Sequence, residues 1–180
     1  MVRHGDPAAP VGTQRQRGRS GRAGGSPATV ALDRAGCRYT LHPYPHDPRA
    51  SAYGEEAAAA LGVDRTRILK TLVVDVDGQL VVGVVPVSAR LDLKAVAAAV
   101  GGKRATMADV GRVERSTGYV VGGISPLGQR TILPTLVDAT AAGHPTVYVS
   151  AGRRGLQVEL SPDDLLLVTG ARLVPLGRPD

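Results

Sequence analysis

Three segments of this 180-residue chain place side chains or backbone where they could do chemistry. The first centres on Lys70, in the run Arg67-Ile68-Leu69-Lys70-Thr71-Leu72-Val73-Val74. Read as a strand, this run puts Lys70, Leu72 and Val74 on one face and Leu69, Thr71 and Val73 on the other. An ammonium on a strand covered from both sides is partly desolvated, a cost that an anion or a developing negative charge offsets. The chain uses 19 Arg and only three Lys, so a lysine here suggests a need for a compact point charge rather than a planar fork. Lys94 and Lys103 escape the same Arg bias and read as surface residues, so the bias alone does not single out Lys70. The alternative for Lys70 is a side chain reaching to solvent from a strand end.

The second segment, residues 116–129, holds four glycines in Ser-Thr-Gly-Tyr-Val-Val-Gly-Gly-Ile-Ser-Pro-Leu-Gly-Gln. Glycines let a backbone approach closely, and exposed N–H groups there could cradle a carbonyl oxygen, a carboxylate or a phosphate. A bulged strand with a turn at Pro126 is the other reading. The third, Tyr148 to Gly155, runs from a strand into a basic turn at Arg153-Arg154. It either grips phosphates or is a hairpin with a solvated tip.

Other chemistries are excluded by spacing. His42 and His46 are four apart, but Pro43 and Pro45 forbid the helix on which that spacing makes a metal pair. Asp75, Asp77 and Gly78 miss the calcium-loop pattern and suit a hairpin turn instead. Gly102-Lys103 lacks the upstream glycine of a phosphate-binding loop. Ser125, in Gly-Ile-Ser-Pro-Leu, lacks the second glycine of a nucleophile elbow. Cys37 reads as a small core or edge thiol, and a single cysteine excludes a disulfide within the chain or a multi-cysteine zinc site. No metal or cofactor is expected.

The elements that must position these residues can be placed in order. A short helix over 29–35 ends at Gly36, and 37–42 alternates like a strand. Residues 55–61 are Ala-rich and helical, with Gly62 as the stop. Residues 68–76 and 80–87 are apolar strands joined at Asp77-Gly78, a hairpin signal because both central positions need positive φ. Asp92 caps a helix running to Val100, and a second helix covers about 108–115. Strands follow near 119–124, 131–137, 145–150 and 156–160. Ser161-Pro162-Asp163-Asp164 starts a helix, and 171–176 is a last strand. Hairpin-joined strands with interspersed helices predict an α+β fold with a mixed, mostly antiparallel sheet.

Residues 1–28 stand apart. They hold five Arg, six Gly and three Pro but no Leu, Ile or aromatic residue. Such a segment cannot bury enough apolar surface to offset its ordering entropy, so it is expected to be a disordered Arg/Gly-rich tail, with the folded domain over 29–180. The tail carries a net charge of +4 of the total +6, leaving +2 on the body. The basic excess therefore suits either a solvated tail that aids solubility or an RNA-binding arm. No stretch is long and apolar enough for a membrane span or a secretory signal, so a cytoplasmic protein without membrane contact is expected. Phe and Trp are absent and Tyr occurs five times, so the core must be aliphatic and stacking of bases on exposed aromatics can only be minor.

Taken together, Tyr44-Pro45-His46-Asp47-Pro48, Leu69-Lys70-Thr71-Leu72, Leu91-Asp92-Leu93-Lys94, the whole of 116–129, and 147–155 followed by Leu156 resemble the YbaK/EbsC family of bacterial aminoacyl-tRNA deacylases. That family is related to the editing domain of bacterial prolyl-tRNA synthetases. The resemblance covers about 29–177 and leaves the tail without a counterpart. It implies a barrel-like, mostly antiparallel sheet surrounded by short helices. It also implies a trans-editing role: release of cysteine from mischarged Cys-tRNA(Pro), with aminoacylated tRNA as partner and prolyl-tRNA synthetase as a transient one. By resemblance Lys70 is the essential lysine, and Tyr44, Tyr53, Thr71, Gly122, Gly123, Ser125 and Ser150 belong to the pocket. Two positions depart from the family: Tyr53 stands where Phe is familiar, and Gln157 where an aspartate is usual. Gln157 can hydrogen-bond substrate but cannot carry charge or accept a proton. Two alternatives thus stay open: a deacylase for another small amino acid such as Ala, and a non-catalytic tRNA- or synthetase-binding module.

Overall fold

The computed structural model describes residues 25–179. Residues 1–24, most of the expected tail, lie outside that range. Within the described residues, the last two positions assigned to the tail are helical, because α1 spans Pro27–Arg34 with Ser26 as N-cap and Pro27 in its first turn. Ala28 and Leu32 on this helix are fully buried, so residues 27 and 28 pack with the domain rather than with the expected tail.

Three sheets follow, and none closes into a barrel. The largest contains β2 (Leu69–Val76), β3 (Gln79–Pro86), β5 (Ala105–Met107), β6 (Thr135–Asp138) and β9 (Arg172–Val174), in the order β5-β2-β3-β6-β9. Its β2–β3 and β2–β5 pairs are antiparallel, and its β3–β6 and β6–β9 pairs parallel. The second sheet is antiparallel, β1 (Tyr39–Pro43), β8 (Leu156–Leu160) and β7 (Val147–Ser150), in the order β1-β8-β7. A small third sheet pairs β4 (Ala89–Leu91) with β10 (Gly177–Pro179). The α+β class and the mixed, mostly antiparallel pairing match expectation. The barrel does not form, because the first two sheets meet only at one parallel bridge, Ile68↔Tyr148.

The hairpin between β2 and β3 turns at Asp77 (φ 51°) and Gly78 (φ 92°), the two positive-φ residues its sequence signalled. The other helices are α2 (Tyr53–Leu61), α3 (Leu93–Ala99), α4 (Val110–Thr117) and α5 (Pro162–Thr169). Asp92, Asp109 and Ser161 cap α3, α4 and α5 with their side chains. One expected strand is absent: residues 119–124 are irregular. Gly122 (φ 89°) and Gly128 (φ 64°) are in conformations that interrupt an extended ladder, and Tyr119 instead donates its hydroxyl to the Leu127 carbonyl at 2.6 Å, closing the segment into a loop.

The alternation of each strand sorts its side chains between two layers. Val147, Val149, Leu156, Val158 and Leu160 face the main core with Leu69 and Val73. Tyr148 faces the other way, into a smaller cluster with Ile68, Tyr44, Val87, and Ala57 and Ala58 of α2. By the same period, Ser150, Gln157 and Lys70 share the α2 side of the sheets. That layer, between sheet and helix, holds the site.

Candidate functional site

The register aligns the polar residues in a row. β2 and β7 run parallel at the Ile68↔Tyr148 bridge, so two residues further along each strand Lys70 stands level with Ser150. Ser150 pairs with Gln157 on β8. These three residues line one wall of a cavity of about 490 Å³. The start of α2 also lines it, with Met107, Ala108, Val110 and Val113 and with Val121, Gly122 and Ile124 of the glycine loop.

The cavity occupies a gap in sheet pairing. Along β2, the Val87 N–H donates to the Ile68 carbonyl at 2.9 Å, on the β3 side. On the other edge, the Tyr148 N–H bonds the Arg67 carbonyl at 2.9 Å and the Ala108 N–H bonds the Val73 carbonyl at 3.1 Å. Antiparallel alternation therefore turns the N–H and C=O of Thr71 toward the edge between β7 and β5, where the β5 pairing covers only Val74, Asp75 and Val76 and the contact with β7 is the single bridge at Ile68. Open backbone of this kind usually finds a partner. Two side-chain atoms in the same place also lack one: Thr71 Oγ1 and Gln157 Oε1 are buried without a hydrogen bond. Gln157 is only 7% exposed, so an unmade bond there costs about 1–3 kcal/mol. Lys70 is half-buried. Its ammonium is the cavity's free cation among the described lining residues, since the other charged lining residue, Glu55, is paired with Arg65. The N-terminus of α2 adds positive character: Ala52 caps it without a side-chain bond, and Ser51 through Glu55 line the cavity.

Of the residues the sequence singled out, Lys70, Tyr44, Tyr53, Thr71, Gly122, Ser150 and Gln157 converge on this cavity. Gly123 and Ser125 do not. The Gly123 N–H is taken by the Val120 carbonyl at 2.9 Å, and a Cβ there would lie 2.9 Å from Arg153 Cα. That glycine serves a close approach of the chain to itself. Ser125 is fully buried, its hydroxyl accepting from the Leu127 N–H at 3.2 Å, so it organises the loop. The apolar wall of Met107, Val110 and Val113 was not singled out from sequence; its β5 is only three residues long, too short for a periodic signal.

His42 and His46 come no nearer to a shared metal than their spacing suggested. His42 Nε2 lies 2.7 Å from Glu159 Oε2, and His46 Nδ1 lies 2.8 Å from Glu56 Oε2. The Asp47 backbone N–H, with help from His46, holds the Glu56 carboxyl below its usual pKa.

Comparison with known proteins assigns the class. Residues 46–167 match the family described as the aminoacyl-tRNA editing domain. The chain belongs to this family and is an aminoacyl-tRNA deacylase by class. It is 39% identical over 123 residues to a proposed Cys-tRNA(Pro)/Cys-tRNA(Cys) deacylase, EbsC, of Enterococcus faecalis, covering 68% of this chain and 75% of that protein. It is 32% identical over 117 residues to YwhH of Bacillus subtilis, an uncharacterised protein, covering 64% and 74%. Its fold matches the crystal structure of a proposed trans-editing enzyme for prolyl-tRNA synthetase with a TM-score of 0.75 and 29% identity, covering 84% of this chain and 95% of that one. No described helix is long and apolar enough to cross a membrane.

Proposed function

We propose that this deacylase acts in trans on Cys-tRNA(Pro), releasing cysteine after the synthetase has let the mischarged tRNA go. One observation carries the reading. A free ammonium, an open-edge peptide and two unpartnered buried polar atoms converge on a cavity of about 490 Å³, and no hydroxyl or thiol paired with a histidine stands among its lining residues. Such a wall suits holding an ester in one geometry while the substrate supplies its own nucleophile. Ser150 is the cavity's serine beside Lys70, and its Oγ accepts from the Gly152 N–H at 3.2 Å, which occupies it as a turn-former.

In this mechanism the cysteine sulfur attacks the carbonyl carbon of its own ester. The carbon–oxygen bond to the tRNA 3′ end breaks, the 3′ oxygen takes up a proton, and a four-membered thiolactone leaves to be hydrolysed. A thiol with pKa near 8.5 is a few per cent thiolate at neutral pH and is intrinsically nucleophilic. The ring is strained, so the enzyme contributes orientation and charge stabilisation. Lys70 holds the ester carbonyl or the terminal sugar-phosphate. The N–H of Gly122 and the open-edge N–H of Thr71 meet the developing oxyanion, in place of the Gly123 donor expected from sequence. Proline and alanine carry no side-chain nucleophile and survive. The partner is charged tRNA, with prolyl-tRNA synthetase as a transient one.

A panel of tRNA(Pro) species charged with Cys, Ser, Ala and Pro tests the reading. Release of Cys at least tenfold faster than of the others is expected. Fast release of Ala or Ser would replace the thiol mechanism with an activated water, the reading that Gln157 in place of an acid leaves open.

A further inference from the structure

Beside the cavity, Arg154 makes contacts that the ester-cleavage mechanism does not use. Arg154, in the turn between β7 and β8, lays its guanidinium over the ring of Tyr53, 4.7 Å from the centroid. Its Nη2 donates to the Val121 carbonyl at 2.6 Å. Gly122 fills the remaining side: a Cβ there would lie 2.6 Å from Arg154 Nε and 2.9 Å from the Tyr53 ring. Tyr53 is steadied in turn by His46, whose ring centroid is 6.0 Å away and whose Nδ1 is tied to Glu56. An arginine side chain ordinarily keeps much of its rotamer freedom. Here that freedom is already given up, yet Arg154 remains exposed. A planar cation fixed in orientation and open to solvent is a surface on which a π system stacks.

We propose that the Arg154–Tyr53 stack is the binding platform for the terminal purine of the charged tRNA. The inference rests on the deacylase reading: with the aminoacyl group in the cavity, the nucleoside joined to it through the ester must lie at the rim, one sugar ring from the row of Lys70, Ser150 and Gln157. Tyr53 and Gly122 line the cavity itself, and the exposed Arg154 packs against both, within reach of a nucleoside held there. In a chain without Phe or Trp, the guanidinium adds a second stacking plane to that of Tyr53. The competing role for Arg154 is a clamp that only ties the glycine loop to α2.

The test compares the cysteinyl esters of adenosine and of 1,4-anhydroribitol, which keeps the sugar hydroxyls but has no base. Base stacking is commonly worth a factor of about ten or more, so the wild-type protein is expected to favour the adenosine ester about tenfold in kcat/KM. Arg154→Ala should bring that ratio to near one. Arg154→Lys, which keeps the charge and loses the plane, should remove most of it. A clamp would instead lower both rates together in Arg154→Ala and leave the ratio intact, and that result overturns the proposal. So does a wild-type ratio of one with both esters cleaved, or a full ratio retained by Arg154→Lys. If the wild-type protein cleaves neither ester nor Cys-tRNA(Pro), the deacylase reading fails and the platform falls with it.

Discussion

Gln157 and Glu159 lie two residues apart on the same face of β8, and their surroundings are opposites. Glu159 is saturated. Its carboxylate accepts from His42 at 2.7 Å and from Thr146 Oγ1 at 2.6 Å, and Arg67 Nη2 approaches at 3.3 Å. Arg67 also covers the Tyr148 ring at 5.2 Å and bonds the Thr146 carbonyl at 3.0 Å. Gln157 ends in a buried oxygen with no partner, in the same row as a free ammonium. Both ends of the face are polar, so polarity does not distinguish them. Satisfaction does. A closed network holds β1, β7 and β8 together, whereas an open one leaves hydrogen-bonding capacity for a ligand.

The largest effect should come from the open end. Lys70→Ala is expected to lower kcat/KM for Cys-tRNA(Pro) by about 10²–10³-fold, the scale of losing one charge-stabilising donor, with an unchanged circular dichroism spectrum and melting temperature. Near-normal turnover would remove Lys70 from the site and with it the contrast between the two ends.

Glu159→Gln should act on stability instead. Burial alone would raise the Glu159 pKa, but hydrogen bonds from Thr146, His42 and Tyr148 outweigh it and hold the carboxyl below its ordinary value. A depressed folded pKa stabilises the fold above the unfolded value of about 4.3 and ceases to do so as pH falls through the folded pKa. Denaturant unfolding at pH 7 should therefore show the variant less stable by on the order of 1–2 kcal/mol, with the gap to wild type closing in acid below pH about 4. A gap independent of pH would mean that the carboxylate charge contributes nothing.

The smallest effect sharpens the comparison most. Gln157→Met keeps the length of the side chain and deletes the unpartnered oxygen. Relieving an unmet acceptor should leave unfolding free energy unchanged or raise it by up to about 1 kcal/mol, while kcat/KM for Cys-tRNA(Pro) falls about tenfold, the value of one lost substrate hydrogen bond. A variant both less stable and fully active would show that Gln157 belongs with Glu159 as a structural residue.

Much of the site was legible in the sequence because it is built from strong local signals. Lys70 stood out as a cation inside an apolar β run, and the glycine loop by composition. The Asp77-Gly78 turn, the caps at Asp92 and Ser161 and the order of most elements followed from local rules too. The failures share a cause. The strand expected at 119–124 has the right residues, but Gly122 and Gly128 at positive φ and the Tyr119–Leu127 bond fold it into a loop. Gly123 and Ser125 belong to the same segment but do not line the cavity, and nothing local reports which way an irregular loop turns its atoms. Arg153-Arg154 was noticed only as a basic turn; the partners of Arg154, Tyr53 and Val121, are 101 and 33 residues away in sequence.

The chain by itself determined which residues carry charge, which runs alternate and where turns must occur, since these depend on neighbours within a few positions. Tertiary structure alone decided that β2 has a stretch of edge left unpaired between β7 and β5. Whether a backbone group or a buried oxygen is satisfied depends on what the rest of the fold brings, or fails to bring, within hydrogen-bond reach.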